Sequence, residues 1–323
     1  MGIAIGVDVG GTNIVCGAID EAGNVLARRK RLTEAGQGAG AVLDRIADMV
    51  QEVIAELGGM PVAGIGVGVP GLIDPNAGVS RSAANLNWQD VPVVTELERR
   101  CGLPVRIDND VKLYVYGEAM VGAGRGYKHV LGITIGTGIA SAIVNEGKLY
   151  YGHKAMAGEL GHVHMEGIEE PCACGLRGCL ESVASASGMV RMARKALEEG
   201  RPSVLRQWYP DGDIERLTGV DLSKAMDLGD ELATEIIVQS GRLSGKALAA
   251  AALVLSPDII VIGGGGALAG ERLLAPLREE LNRGLLPEFR EEIAVVSAKH
   301  NEDAGIIGSA LYVRSRIRAD VIA

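Results

Sequence analysis

The sequence predicts an α/β protein built from two related domains, and three observations carry that prediction. At 323 residues the chain is long enough for two ordinary domains. It is rich in apolar residues yet holds one Phe and two Trp, so its core must be Val, Ile, Leu and Ala, as in α/β proteins. Each half also opens on an apolar strand that breaks at a glycine turn and resumes. Residues 3–19 do so around Asp8-Val9-Gly10-Gly11-Thr12, and residues 130–145 around Gly136-Thr137-Gly138.

The other elements follow in order. Val42, Leu43, Ile46, Met49, Val50, Val53, Ile54 and Leu57 repeat at three-four spacing, which predicts a one-faced helix over 42–57 that Gly58 stops. Gly64 to Val69 reads as a buried strand ending at Pro70-Gly71. Val105 to Ile107 reads as another, ending at Asp108-Asn109-Asp110 and leading into a helix over 111–120. Residues 188–255 are mostly helical, irregular over 207–213, and stop at Pro257. Asp258 to Ile262 is a strand running into Gly263–Gly266, and residues 303–318 form a closing helix. Glycines cluster over 118–126, which sets the expected break: domain 1–120, joined by the closing helix at about 303–323, and domain 121–302.

The formal net charge of -9 argues against nucleic acid or an anionic membrane as partner. It leaves room for an anionic nucleotide, because a divalent metal and backbone N–H groups can carry phosphates. The start, Met1-Gly2-Ile3-Ala4-Ile5-Gly6-Val7-Asp8, lacks the basic opening of a signal peptide. The longest apolar run, Ala247 to Leu255, is too short to span a bilayer. A soluble, cytoplasmic protein is expected. Three of the five cysteines cluster, which is no disulfide framework in a chain this long.

That cluster is the most specific signal. Cys172, Cys174 and Cys179 stand beside His162, with Gly175 and Gly178 letting the chain wrap tightly. One imidazole and three thiolates fill all four positions of a structural zinc site. His164 competes with His162, since residues two apart share a strand face. The functional argument favours His162, next to Glu159. A metal-bound imidazole keeps an N–H of fixed direction on its other nitrogen, which can donate to a sugar hydroxyl. Glu159 and Glu181 on either side can accept from others.

Asp8-Val9-Gly10-Gly11-Thr12-Asn13 is either a plain tight hairpin or a phosphate cradle, with backbone N–H groups and the Thr hydroxyl as donors and Asp8 near a hydrated magnesium. Gly136-Thr137-Gly138 offers the same choice. Neither has the Gly-Lys-Ser/Thr of a Walker loop. Gly263–Gly266 is either a flexible turn or bare backbone for a base or ribose. Asp108-Asn109-Asp110 is either a helix cap or a carboxylate placed to accept a proton from a substrate hydroxyl, and both can hold on different residues.

Together these motifs resemble the ROK family of sugar kinases and sugar-responsive repressors. The resemblance runs in order along nearly the whole chain: Asp8–Asn13, Val69-Pro70-Gly71, Asn85 with Trp88, Asn109-Asp110, residues 132–140, Glu159 to His162, the cysteines with Glu181, and Gly263–Gly266. It implies two actin-like (ribonuclease H-like) domains around a cleft, with a small zinc knot over 162–179. It implies ATP-dependent phosphorylation of a hexose at the 6-hydroxyl. Among the family's kinases the overall look is closest to bacterial glucokinases, typically dimers or tetramers, which puts glucose first. N-acetylglucosamine, N-acetylmannosamine, mannose or fructose are alternatives, and a non-catalytic sugar sensor is the contrasting class.

Residue by residue, the resemblance makes Asp110 the catalytic base and Asn85, Asn109, Glu159, His162 and Glu181 the sugar set. His162, Cys172, Cys174 and Cys179 become the zinc ligands, which decides between His162 and His164. Asp8, Gly10, Gly11, Thr12, Asn13, Thr137, Gly138, Gly264 and Gly265 become the surface for ATP and magnesium.

Overall fold

The computed structural model describes residues 2–322. The chain divides into two compact units, Met1–Lys128 with Ala142–Ala157 and Lys299–Ala323, and His129–Ser141 with Gly158–Ala298. The first crossing lies at 128/129, where the sequence reading set its break at 120/121. The return of 142–157 to the first unit has no counterpart in that reading.

In chain order the strands and helices begin with β1 (Ile3–Val9), β2 (Asn13–Ile19), β3 (Val25–Leu32), α1 (Ala39–Glu56) and β4 (Val62–Val69). Next come β5 (Leu72–Asp74), β6 (Val79–Ala83), β7 (Trp88–Val91), α2 (Val93–Cys101), β8 (Val105–Asn109) and α3 (Asp110–Val121). Then follow β9 (His129–Ile135), β10 (Ile139–Asn145), β11 (Lys148–Leu149), α4 (Leu180–Ala184), α5 (Ala186–Glu198), α6 (Leu205–Trp208) and α7 (Gly219–Asp227). The last are α8 (Glu231–Leu255), β12 (Ile259–Gly263), α9 (Glu271–Gly284), β13 (Ala294–Ser297) and α10 (Ala304–Ile322). The fold is mixed α/β. One five-stranded sheet has the order β3-β2-β1-β4-β8, the other β11-β10-β9-β12-β13, and β5-β6-β7 form a small meander.

In the first sheet β1, β4 and β8 run parallel, in a register that aligns Asp8 with Gly68 and Gly68 with Asp108. The carboxyl ends of parallel strands are where α/β folds bind ligands. Here that edge carries Asp8, Pro70-Gly71 and Asn109-Asp110. The buried stripe of α1, from Val42 through Ile46 and Val50 to Val53, packs with Ile5, Val7, Ile65, Val67 and Ile107 in one core.

The closing helix α10 covers the other face, where Ile306, Ile307, Ala310 and Val313 meet Ala4 and Ile19. The approach is backbone to backbone: a Cβ at Gly6 would overlap the Ile306 carbonyl, and one at Gly66 the Ser309 carbonyl. Glu118, fully buried at the end of α3, fixes the chain's return. Its carboxylate accepts from the backbone N–H groups of Ala123 (2.8 Å), Lys299 (2.9 Å) and His300 (2.6 Å).

Candidate active site and metal centre

The three residues where β8 passes into α3 take three different jobs. Asp108 points inward: it is 1% exposed, accepts from the Tyr151 hydroxyl at 2.6 Å, and accepts from the Asn109 N–H at 2.8 Å. Asn109 caps α3, its side-chain oxygen accepting from the Lys112 N–H at 3.1 Å while its amide donates to the Gly71 carbonyl at 3.2 Å. Asp110 opens the helix, and its carboxylate receives backbone N–H bonds, Val111 among them at 2.9 Å, with no cationic side chain beside it among the described residues. Cap and candidate base are thus neighbouring residues.

Burial pushes Asp110 from its ordinary 3.8 up to about 6. Burial and the negative charge of Asp110 push Asp8 up to about 7. A buried carboxylate that a second one pushes further up calls for a cation beside it or a proton on one of the two. That is the environment a hydrated magnesium and a general base both require. Loss of charge on acidification gives the expected pH profile: turnover falls as pH drops through about 6, where Asp110 takes up its proton. A kcat profile flat from pH 8 to well below that point would remove Asp110 as the titrating group.

The first glycine turn is closed by Gly10 N–H to the Asn13 carbonyl at 2.9 Å and buttressed by the Thr33 hydroxyl on the Gly10 carbonyl at 2.6 Å. Gly11 and Thr12 at its tip are exposed. Asn85, exposed on the turn after β6, lies against Gly11, where an added Cβ would come within 3.2 Å of the Asn85 Cβ. The first unit therefore groups Asp8, Gly10, Gly11, Thr12 and Asn13 with Asn85, Asn109 and Asp110 along one sheet edge and its adjoining turns.

The second unit groups the rest. Gly136 N–H closes its turn on the Gly138 carbonyl at 2.9 Å, with Thr137 exposed at the tip. The parallel pair β9–β12 aligns Gly263 with Thr134, so Gly264 follows at the same edge. Gly264 has φ +79 and packs on the Ile135 backbone, while Gly265 has open space around it. The two glycine runs are thus side by side, as a surface for a nucleotide requires.

Glu181 stands at this same turn. One carboxylate oxygen accepts from the Ile139 N–H at 2.9 Å, and the other lies 3.6 Å from the Cys172 sulfur. A Cβ on Gly138 would overlap the Glu181 carboxylate. Gly138→Ala should therefore displace Glu181 and raise KM for the sugar by about tenfold, the cost of one lost buried hydrogen bond, while nucleotide KM changes less. Equal effects on both constants would return Gly138 to the nucleotide surface alone.

His162, Cys172, Cys174 and Cys179 bring their ligand atoms within 4.8 Å of one another. The Cys174 and Cys179 sulfurs are 3.7 Å apart, and the Cys172 sulfur is 3.8 Å from His162 Nδ1. Tetrahedral zinc with bonds of about 2.3 Å to sulfur puts such pairs about 3.8 Å apart, so the residues present fit the ion. Nε2 of His162 points the other way, 3.8 Å from the Glu159 carboxylate. His164 lies outside the cluster, its Nδ1 3.2 Å from the Arg177 carbonyl.

Tyr151, Lys112 and Arg316 escaped the sequence reading. Lys112 donates to the Ala155 carbonyl at 2.5 Å, and Arg316 donates to the Tyr151 hydroxyl at 3.1 Å. The one available signal was Tyr150-Tyr151 in a chain otherwise poor in aromatics.

The ROK family model matches residues 4–316. The glucokinase of Thermotoga maritima is 37% identical over 314 residues, covering 97% of this chain and 98% of that protein. The crystal structure of a ROK family glucokinase from Streptomyces griseus, in complex with glucose and AMPPNP, superposes with a TM-score of 0.84 at 32% identity, covering 97% and 100%. The xylose repressor of Caldicellulosiruptor bescii is 26% identical and covers 98% of this chain and 79% of its own length.

Proposed function

The chain belongs to the ROK family, and from that premise we propose that it is an ATP-dependent hexose kinase whose preferred substrate is glucose. The observation that carries the reading is Asp110: a half-buried carboxylate at a strand end, raised to about 6, with no side-chain hydrogen-bond partner among the described residues.

In this reading Asp110 accepts the proton of the sugar 6-hydroxyl as that oxygen bonds to the γ-phosphorus and the bond to the leaving ADP breaks. Such transfer is loose, so catalysis lies mostly in placing the hydroxyl and spreading charge. Asn109, already bonded to Gly71, and Asn85 would bind other hydroxyls. Glu159, His162 and Glu181 would also bind sugar hydroxyls, with His162 donating from Nε2. The glycine turns and Asp8 would hold the nucleotide and its magnesium, which would supply neutralisation of phosphate charge. Zinc on His162, Cys172, Cys174 and Cys179 would fix the tautomer and direction of His162.

A panel of glucose, mannose, fructose, N-acetylglucosamine and N-acetylmannosamine, compared by kcat/KM in a coupled ADP assay, tests the substrate. Glucose should lead by about tenfold or more; a lead for an N-acetylated sugar would overturn that choice while keeping the kinase. The repressor relative keeps a second reading open, sugar sensing without transfer. It predicts glucose binding with no glucose-dependent ADP release.

A further inference from the structure

The first unit holds a cavity of about 700 Å³ outside the residues assigned to sugar, nucleotide or zinc. Its polar lining is Asp74, Asn76, Arg81, Tyr151, Lys154 and Arg316. Arg81 is already matched, pairing with Asp74 at 3.0 Å and Asp90 at 3.1 Å. Arg316 and Lys154 are not. Arg316 lies over the rings of Tyr312 and Tyr151, 5.1 and 5.9 Å from their centres, and its bonds go to tyrosine hydroxyls. Neither cation has a carboxylate partner among the described residues.

A half-buried guanidinium with no carboxylate is a binding group in waiting, because most of its five donors remain free. Arg316 also borders two neighbouring cavities of about 390 and 410 Å³, so it stands where several open spaces meet. Lys154 and Ala155 have φ +50 and +60, a left-handed backbone that non-glycine residues adopt at a cost. Two unmatched positive charges in one cavity complement a phosphate monoester, which carries nearly two negative charges at neutral pH. Asn76 and the rim carboxylate of Asp74 suit the hydroxyls of an attached sugar.

The cavity is also wired to the reaction site. Arg316 donates to the Tyr151 hydroxyl at 3.1 Å, Tyr151 donates to Asp108 at 2.6 Å, and Asp108 accepts from the Asn109 N–H at 2.8 Å, one residue before Asp110. An anion drawing Arg316 into the cavity would compete with Tyr151 for that donor and loosen the Asp108 anchor of the turn. We propose that this cavity is a regulatory site for a phosphorylated sugar, held by Arg316 and Lys154, whose occupation slows phosphoryl transfer.

The test is calorimetric titration of the full chain with glucose 6-phosphate, and separately with inorganic phosphate, while excess glucose and AMPPNP fill the substrate sites. Wild type should bind at millimolar or lower concentration. Arg316→Met, which keeps contact with the tyrosine rings, and Lys154→Gln should each weaken binding by about tenfold or more. Tighter binding of glucose 6-phosphate identifies a sugar phosphate as the ligand; equal binding of both probes overturns that part and leaves a bare phosphate site. Lys154 is exposed, so Lys154→Gln decides the matter even where Arg316→Met fails to fold. With saturating substrates, glucose 6-phosphate should slow wild type by about fivefold, and should leave Lys154→Gln, whose own turnover is unchanged, unaffected. Undiminished binding in both variants, or slowing that competes with glucose and persists in Lys154→Gln, overturns the proposal.

Discussion

Asp110→Asn should lose about 10²–10⁴ in turnover while melting a few degrees higher than wild type in the absence of nucleotide and metal. The two effects share one cause. Asp110 and Asp8 are both held above their ordinary value of 3.8, to about 6 and about 7. A carboxyl raised in the folded state stabilises the fold fully below its unfolded value, and that contribution is lost as pH rises through 6 and 7. At neutral pH the two charges oppose folding. The amide removes one of them and also relieves Asp8, a gain of about 1–3 kcal/mol. Titration calorimetry should show sugar binding largely retained, because Asn keeps the shape and a hydrogen-bonding group. Loss of turnover with a lower melting temperature would mean that Asp110 is structural; near-normal turnover would remove it as the base.

Cys174→Ser should release zinc and, with it, sugar affinity. Cys174 is the informative position because it is exposed, whereas Cys179 is buried; a serine at 174 leaves core packing alone, so any loss of stability reports the metal. Without the ion, His162 has no fixed tautomer and Nε2 no fixed direction, while Glu181 loses a settled neighbour at Cys172. Sugar KM should rise by about 10–100-fold, as for other groups that orient through a metal, with ATP KM changing far less. Chelation of the wild-type protein should reproduce the pattern. A zinc-free variant with unaltered sugar KM would end the orienting role.

Legibility varied with the kind of signal. Helix α1 was plain because its apolar spacing is long and regular. So was the zinc set, because its ligands lie close in sequence. Strand β3 was missed: Val25 to Leu32 is half basic, and it is a strand because it lies at a sheet edge, where Arg29 and Arg31 project to Glu52 and Glu56 on α1. The meander β5-β6-β7 was missed because its strands are short and its residues alternate poorly. The triplet Asp108-Asn109-Asp110 was seen as a unit, but its three roles follow from partners 38 and 43 residues away, Gly71 and Tyr151, which local spacing cannot show. Gly138 was read for phosphate alone, and its contact with Glu181 joins residues 43 apart.

The placement of α10 governs the order of folding. The first sheet emerges from the ribosome early, but the face at Gly6 and Gly66 is shaped for a helix made from residues 304 onward. Until those residues appear, Ala4 and Ile19 have no cover. The second unit, inserted between, uses no residue beyond 298 and can fold without α10. A chain truncated after residue 298 should thus pair a protease-resistant second unit with a first unit that chaperones still recognise.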